Sequence, residues 1–231
     1  MDIRIYQGRS PSMGPADVCV VIDVIRAFTT AQVAFARGAN DILLAADVDG
    51  AFELARSHSG FLVAGERDAV KVEGFDLGNS PAEFDEADIR GRGVVMTTTN
   101  GVRAALHANR FGPAVACGYR GADAVVRWLE RRRDTDVVNL LASHPDGDED
   151  LACAEYLRGR LLGRDQPSPK SVEARIRGSL AAQKFLDPQR PEFDPSDVEY
   201  CATRVDDGFV MTIESHDDLV RLVQTPVDDE S

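Results

Sequence analysis

Apolar and polar positions fall into alternating blocks along this chain. Asp17–Asp23 (DVCVVID) is a continuous apolar run closed by an acid, the pattern of a strand buried on both faces. Thr29–Arg37 then spaces Ala, Val and Phe at helical intervals and stops at Gly38. Strand-like Asp41–Ala46 precedes helix-like Asp49–Arg56, and strand-like Phe61–Ala64 leads into a long polar stretch. Gly93–Thr97 with Gly101–Ala108, Ala114–Gly118 with Asp123–Arg132, and Asp136–Ala142 with Glu149–Leu162 repeat the strand–helix pairing. This alternation predicts a three-layer α/β/α fold with a mostly parallel or mixed sheet. After a polar linker at Gln166–Pro169 the pattern predicts an amphipathic helix over Ser171–Leu186 and a proline-rich loop over Asp187–Pro195. A last strand at Gly208–Ile213 and a short helix at Asp217–Val223 follow. The expected organisation is a single domain over residues 1–225 with a frayed acidic tail at 226–231.

Composition narrows the function classes. The net charge of −13 argues against nucleic acid as a partner, because neutralising phosphates takes an excess of Lys and Arg. Lysine occurs only at Lys71, Lys170 and Lys184. Such a surplus of carboxylates suits a salt-rich or acid-biased host interior. No apolar run approaches the roughly 18–20 residues that cross a bilayer, and the first residues lack a signal-peptide core, so a cytoplasmic location and no membrane partner are expected. Cys19, Cys117, Cys153 and Cys201 lie far apart, without zinc or disulfide spacing. The four histidines (His58, His107, His144 and His216) show no metal spacing and read as surface residues.

In open α/β sheets ligands gather at the carboxyl ends of the strands. The residues found there are Asp23 and Arg26, Glu66 and Arg67, Thr97, Thr98, Thr99 and Asn100 with Arg103, and Glu149 with Asp150; Asp76, Asn79 and Ser80 belong to the loop beyond Glu66. Carboxylates beside hydroxyls, amides and arginines suit a divalent cation together with a phosphate. In TTTNG, Thr99 or Asn100 can cap the following helix, Gly101 removes side-chain bulk, and Arg103 extends from its first turn. Singly, each has a plainer reading: Asp23 can simply end its strand, TTTN can be a capping device, and Glu149 and Asp150 can complement a helix dipole. The Cys-x5-Arg, GxxxxGK[ST], GxGxxG and GxSxG signatures are absent, as is a second Asp two residues after Asp23.

At these residues the chain resembles the 2-phosphosulfolactate phosphatase family (ComB-like proteins). The resemblance is carried by VVIDVIRAFTT (Val20–Thr30), AGERDAVKVEGFDLGNSPAEF (Ala64–Phe84), VVMTTTNGVRAAL (Val94–Leu106) and EDLACA (Glu149–Ala154), and more weakly by Asp197–Met211. It implies a Mg2+-dependent phosphomonoesterase acting on 2-phosphosulfolactate in the coenzyme M pathway. The positions it carries over are Asp23, Arg26, Glu66, Asp76, Asn79, Ser80, Thr97, Thr98, Thr99, Asn100, Arg103, Glu149, Asp150 and Cys153. The chain departs from the family pattern at Tyr119–Ala124 (YRGADA) and Ser143–Asp148 (SHPDGD), both expected on the same rim.

The combined expectation is a phosphatase site in which Asp23, Asp76 and Asp150 hold Mg2+ and Arg26 or Arg103 neutralises the phosphoryl oxygens. Thr97, Thr98, Thr99, Asn100 and the helix start at Gly101 donate hydrogen bonds, with Asn79 and Ser80 in the substrate-binding loop. Either Glu66 or Glu149 activates water, or Asp23 attacks directly. The alternative is a non-hydrolytic binder of a small phosphorylated or sulfonated metabolite. A homodimer is the default assembly.

Overall fold

The computed structural model describes residues 1–217 and 219–227. The chain runs β1 (Asp2–Gln7), β2 (Val18–Ile22), α1 (Ala27–Ala36), β3 (Asp41–Leu44), α2 (Val48–Ser57), β4 (Leu62–Arg67), β5 (Val70–Lys71) and α3 (Pro81–Glu86). It continues through β6 (Gly93–Thr97), α4 (Gly101–Ala108), β7 (Ala114–Cys117), a 3-10 turn at Tyr119–Gly121, α5 (Ala122–Arg131), β8 (Val137–Ala142) and α6 (Asp148–Leu162). Last come α7 (Pro169–Gly178), α8 (Leu180–Leu186), α9 (Ser196–Ala202), β9 (Phe209–His216) and β10 (Leu219–Pro226).

All five residues of β2 are buried, because a strand inside a two-sided sheet hides both its faces. Cys19 and Val21 point to one face and share a core with Phe28 and Phe35 of α1 and Val102 and Ala105 of α4. Val18, Val20 and Ile22 point to the other and pack with α5, α6 and α7. On the distal part of the sheet, Leu43, Val63 and Val95 pack against Ala51 of α2. Helices thus cover both faces, giving the three-layer α/β/α arrangement. Each fully buried Val, Leu or Phe among these contributes about 1.5–3 kcal/mol.

Among the described residues the sheet has ten strands in the order β1-β8-β2-β7-β9-β10-β3-β6-β4-β5. β1, β8, β2 and β7 form one parallel block, and β3, β6 and β4 another. Three consecutive antiparallel pairings, β7 with β9, β9 with β10, and β10 with β3, separate them. Three reversals mean that the two blocks run in opposite directions. In a flat sheet their carboxyl ends would lie at opposite edges. They nevertheless reach one cavity, which both Asp23 after β2 and Glu66 of β4 line, and residues of β2, β3, β4, β6 and β7 all enter one core with α1 and α4.

Several sequence expectations change. Asp217–Val223, expected as a helix, turns into β10; Val220, Val223 and Thr225 favour a pleated strand, and the whole of β10 pairs with β9 in a hairpin. Asp218 lies outside the described residues. The expected tail begins later, since Pro226 closes β10 and Val227 is buried; residues 228–231 lie outside the described residues. The expected helix Ser171–Leu186 breaks in two at Ser179, whose extended backbone ends α7 and whose hydroxyl accepts the Ala182 N–H to cap α8. β1, α3 and α9 arise where the pattern showed no element.

Candidate active site

β2 delivers Asp23 to the base of a cavity of about 390 Å3. The side chain is 5% exposed; Oδ1 accepts the Ala27 N–H at 2.9 Å, and Oδ2 lies 3.0 Å from the Ser143 hydroxyl. Ser143, just past β8, is also 3.1 Å from Asp150 Oδ2. A serine hydroxyl has one proton, so both contacts are hydrogen bonds only if one of the two carboxyls is protonated. Burial, helped by Asp23 and Glu149, pushes Asp150 well above the usual carboxylate range. Burial also raises Asp23 to about 6, against the Ala27 and Ser143 hydrogen bonds and with the charges of Glu66 and Glu149. Of the two carboxyls Asp150 is pushed up further, so the shared proton favours Asp150, from which it points to Ser143 while Ser143 donates to Asp23. Asp150 also accepts the N–H groups of Val24 at 2.7 Å and His144 at 3.1 Å, so it locks the strand ends rather than facing the cavity.

Glu66 joins the two polar stretches. Oε1 accepts the Thr99 N–H at 2.6 Å; Oε2 accepts the Ala69 N–H at 2.7 Å and the Thr99 hydroxyl at 2.9 Å. The pairing of β4 with β6 beneath it is close: a Cβ on Gly65 would lie 1.9 Å from the Thr97 carbonyl oxygen. Opposite, α4 begins against Asp23, where a Cβ on Gly101 would lie 2.6 Å from Asp23 Oδ2. Arg26 crosses the wall, donating to Asp197 Oδ2 at 2.6 Å and the Ala69 carbonyl at 3.0 Å, with its guanidinium 4.5 Å from the Phe185 ring centre. Asp197 is fully buried and also accepts from the Ser80 hydroxyl (2.7 Å) and the Ala82 N–H (3.1 Å).

The cavity floor is thus rich in oxygen donors. Asp23, Glu66 and Glu149 line it, together with Asn79 and Asn100, whose buried Oδ1 atoms lack hydrogen-bond partners. Burial raises the Glu149 carboxyl, opposed mainly by its hydrogen bonds to its own backbone and to Ser179. Among the described residues no three His, Cys, Asp or Glu side chains are grouped to hold a metal. Magnesium does not need such a cage, because one or two carboxylates with water and substrate oxygens suffice. Asp23 and the two orphaned amide oxygens are hard donors of that kind, so the donor set fits Mg2+.

The positions singled out in the sequence separate into two groups. Asp23, Arg26, Glu66, Glu149, Asn79, Thr99 and Asn100 line the cavity. Thr97 accepts from Arg67 at 2.9 Å, while Thr98, rather than Thr99 or Asn100, accepts the Val102 N–H and secures the start of α4. Thr99 is turned to Glu66. Ser80 caps α3 through the Glu83 N–H. Asp76 is exposed and accepts the Val63 N–H at 2.8 Å, which ties the loop to β4 and keeps its carboxylate out of the expected metal set. Arg103 is exposed on α4 and outside the cavity lining. Cys153 is fully buried in the core; the neighbouring Cys117 thiol, then burial, hold it well above the usual thiol range, so it presents no thiolate to the cavity. Of the two departures, His144, Asp146 and Gly147 of SHPDGD line the cavity, whereas YRGADA does not: Arg120 pairs with Asp207 instead.

No role followed from the sequence for Asp197, Arg9 or Lys184, nor for Ser143 and His144, although Ser143–Asp148 was expected on the rim. The strand-end rule that found Asp23 also reaches Ser143 and His144, which directly follow β8. Nothing local marks Asp197 or Lys184; α8 and α9 bring them in from beyond the proline-bearing segments.

The chain is similar throughout to proteins of one family. A model of the family described as 2-phosphosulpholactate phosphatase matches residues 5–215. A probable 2-phosphosulfolactate phosphatase of Bacillus subtilis (strain 168) is 40% identical, over 92% of this chain and 94% of its own length. Proteins described in the same words from Thermotoga petrophila (38% identical; 80% of this chain, 83% of theirs) and Symbiobacterium thermophilum (36%; 73% and 72%) are also similar.

Proposed function

The chain belongs to the 2-phosphosulpholactate phosphatase family, and on that premise we propose that it hydrolyses a small anionic phosphomonoester, 2-phosphosulfolactate, to sulfolactate and phosphate with Mg2+. The observation that carries the reading is the cavity lining, where the acids Asp23, Glu66 and Glu149 surround one space with Asn79 and Asn100, whose buried amide oxygens have no hydrogen-bond partner. Asp23, Asn79 and Asn100 would hold Mg2+, which when bound neutralises phosphoryl charge.

The chain's own groups divide the remaining work. Arg26 uses two of its five N–H donors on Asp197 and Ala69, so the others are available to phosphoryl oxygens. Its pairing and the Phe185 stack fix the guanidinium in advance, which is what stabilises developing charge without reorganisation. Glu66 already accepts three hydrogen bonds, two of them from Thr99, and is assigned to positioning the Thr99–Asn100 turn rather than to the base. Asp23 is anchored by Ala27 and Ser143 and acts as a ligand rather than a nucleophile. Glu149, raised by burial, takes a proton from the attacking water. The water oxygen bonds to phosphorus as the bond from phosphorus to the ester oxygen breaks; the departing alkoxide takes a proton from solvent to give the free alcohol, and Glu149 returns its proton to solvent.

Four buried free cysteines accord with a reducing compartment, and no helix among the described residues is long and apolar enough to cross a membrane. We therefore place the enzyme in the cytoplasm. Phosphate release from 2-phosphosulfolactate with Mg2+ and with a chelator tests the function. Release that depends on Mg2+ and drops at least 100-fold in Asp23→Asn is expected. Thermal stabilisation by the ester without any release would replace the enzyme reading with that of a binding protein.

A further inference from the structure

We propose that Lys184 of α8, assisted by Arg9 in the loop after β1, forms a subsite for a second anionic group of the substrate and selects esters with a charged tail over simple phosphomonoesters. The inference rests on the phosphomonoester reading above and specifies its selectivity.

The cavity is layered by charge. Its floor is acidic and buried, with Asp23, Glu66 and Glu149 each no more than 6% exposed. Its mouth carries Arg9 and Lys184, both exposed, and neither has a hydrogen bond or ion pair among the described residues. The other arginines at this end are in use: Arg26 pairs with Asp197 and serves the phosphoryl group, and Arg67 donates to Thr97 and to the Glu66 carbonyl. Asp68 and Asp146 share the mouth and oppose anion binding there, so the two cations are what makes a second anion tolerable.

α8 holds Lys184 in place. Phe185, the next residue, packs on Arg26 and on Phe193, and Ser179, the cap of the same helix, is near enough to Glu149 to oppose the rise of its carboxyl pKa. The Lys184 ammonium is close enough to Glu149 to oppose the rise of its carboxyl pKa. Lys184 therefore stands above the floor at the end where Glu149 lies. Gln7 reaches the Gly147 carbonyl at 3.4 Å, which brings the Arg9 loop beside the same wall.

A phosphoryl group alone does not fill about 390 Å3. A phosphate ester of a sulfonated hydroxy acid, the compound named for the relatives, keeps a sulfonate and a carboxylate once its phosphoryl group is seated. The acidic floor repels both, and long cationic side chains at the mouth can reach them.

The test compares 2-phosphosulfolactate with phenyl phosphate, with Mg2+, in the wild type, Lys184→Gln, Arg9→Gln and Lys184→Arg. The ratio of kcat/KM for the sulfonated over the uncharged-tail ester should fall about 10–100-fold in Lys184→Gln, mainly through KM, and less in Arg9→Gln. Lys184→Arg should restore most of it. A ratio within twofold of wild type in Lys184→Gln overturns the proposal. Calorimetric binding of sulfolactate separates this from failure of the enzyme reading. If no ester is hydrolysed but sulfolactate binds the wild type and not Lys184→Gln, the subsite stands and the hydrolase falls. Absence of wild-type binding overturns the subsite.

Discussion

Gly101→Ala tests whether the approach of α4 to Asp23 sets the geometry of the site. Gly101 has no left-handed backbone, so alanine meets no conformational penalty and gains up to about 1 kcal/mol of helix propensity. Space is the obstacle. Its Cβ would lie 2.6 Å from Asp23 Oδ2 and 2.7 Å from Ala27 Cβ. Ordinary contacts begin near 3.5 Å, so α4 must withdraw by about 1 Å or Asp23 must rotate away from Ala27 and Ser143. Overpacking of this size costs about 1–3 kcal/mol, which leaves a net destabilisation of about 0–2 kcal/mol after the propensity gain. Activity should respond far more, because a displacement of about 1 Å in a reacting constellation costs on the order of 100-fold. Urea unfolding and steady-state phosphate release, measured on the same preparation, read the two effects separately. Gly178→Ala is the control, since a Cβ there meets nothing within 4 Å. A Gly101→Ala enzyme with a rate within threefold of wild type would refute the argument that this contact positions Asp23.

Two further substitutions probe the buried charges. Asp197→Ala strands Arg26 in a wall where it is 7% exposed, and removes the acceptor of Ser80 and Ala82. The expected loss is about 3–5 kcal/mol in urea unfolding, and a loss under 1 kcal/mol would contradict the ion pair's structural role. For Asp23 the folded carboxyl titrates at about 6 against 3.8 unfolded, so the native state binds the proton more tightly. That contribution to stability is complete below pH 3.8 and is lost as pH rises through about 6. The difference corresponds to at most about 3 kcal/mol. Without Mg2+, Asp23→Asn should therefore be about 1–3 kcal/mol more stable than wild type at pH 8 and level with it near pH 4. Added Mg2+ should narrow the gap at pH 8 by stabilising only the wild type. Equal stabilities at pH 8 without Mg2+ would show that Asp23 is not penalised by burial.

The strand–helix alternation and the strand-end acids were legible because they are local. Continuous apolar runs such as DVCVVID are what a two-sided sheet requires, and an acid at the end of such a run emerges where the backbone leaves the sheet. Asp23, Arg26, Glu66, Asn79, Asn100 and Glu149 were reachable by that rule. Their roles were not. Only the structure shows that Glu66 accepts three hydrogen bonds from Ala69 and Thr99, and that Asp150 contacts Val24, Ser143 and His144 rather than lining the cavity. Asp76 and Arg103 stand close to the motif in sequence but outside the cavity, because a loop or helix turn points adjacent side chains in different directions.

By itself, the sequence determined the α/β class, the core strands and the kinds of atoms available at their ends, since these depend on periodicity and side-chain chemistry. The tertiary structure alone decided that these ends meet. Two parallel blocks running in opposite directions still bring strand ends to one cavity, over a core they share with α1 and α4, and glycine at position 101 lets α4 close on Asp23. It also decided that α8 and α9, distant in the chain, supply Lys184 and Asp197. Contacts over such separations depend on how whole elements pack, and no local pattern encodes that.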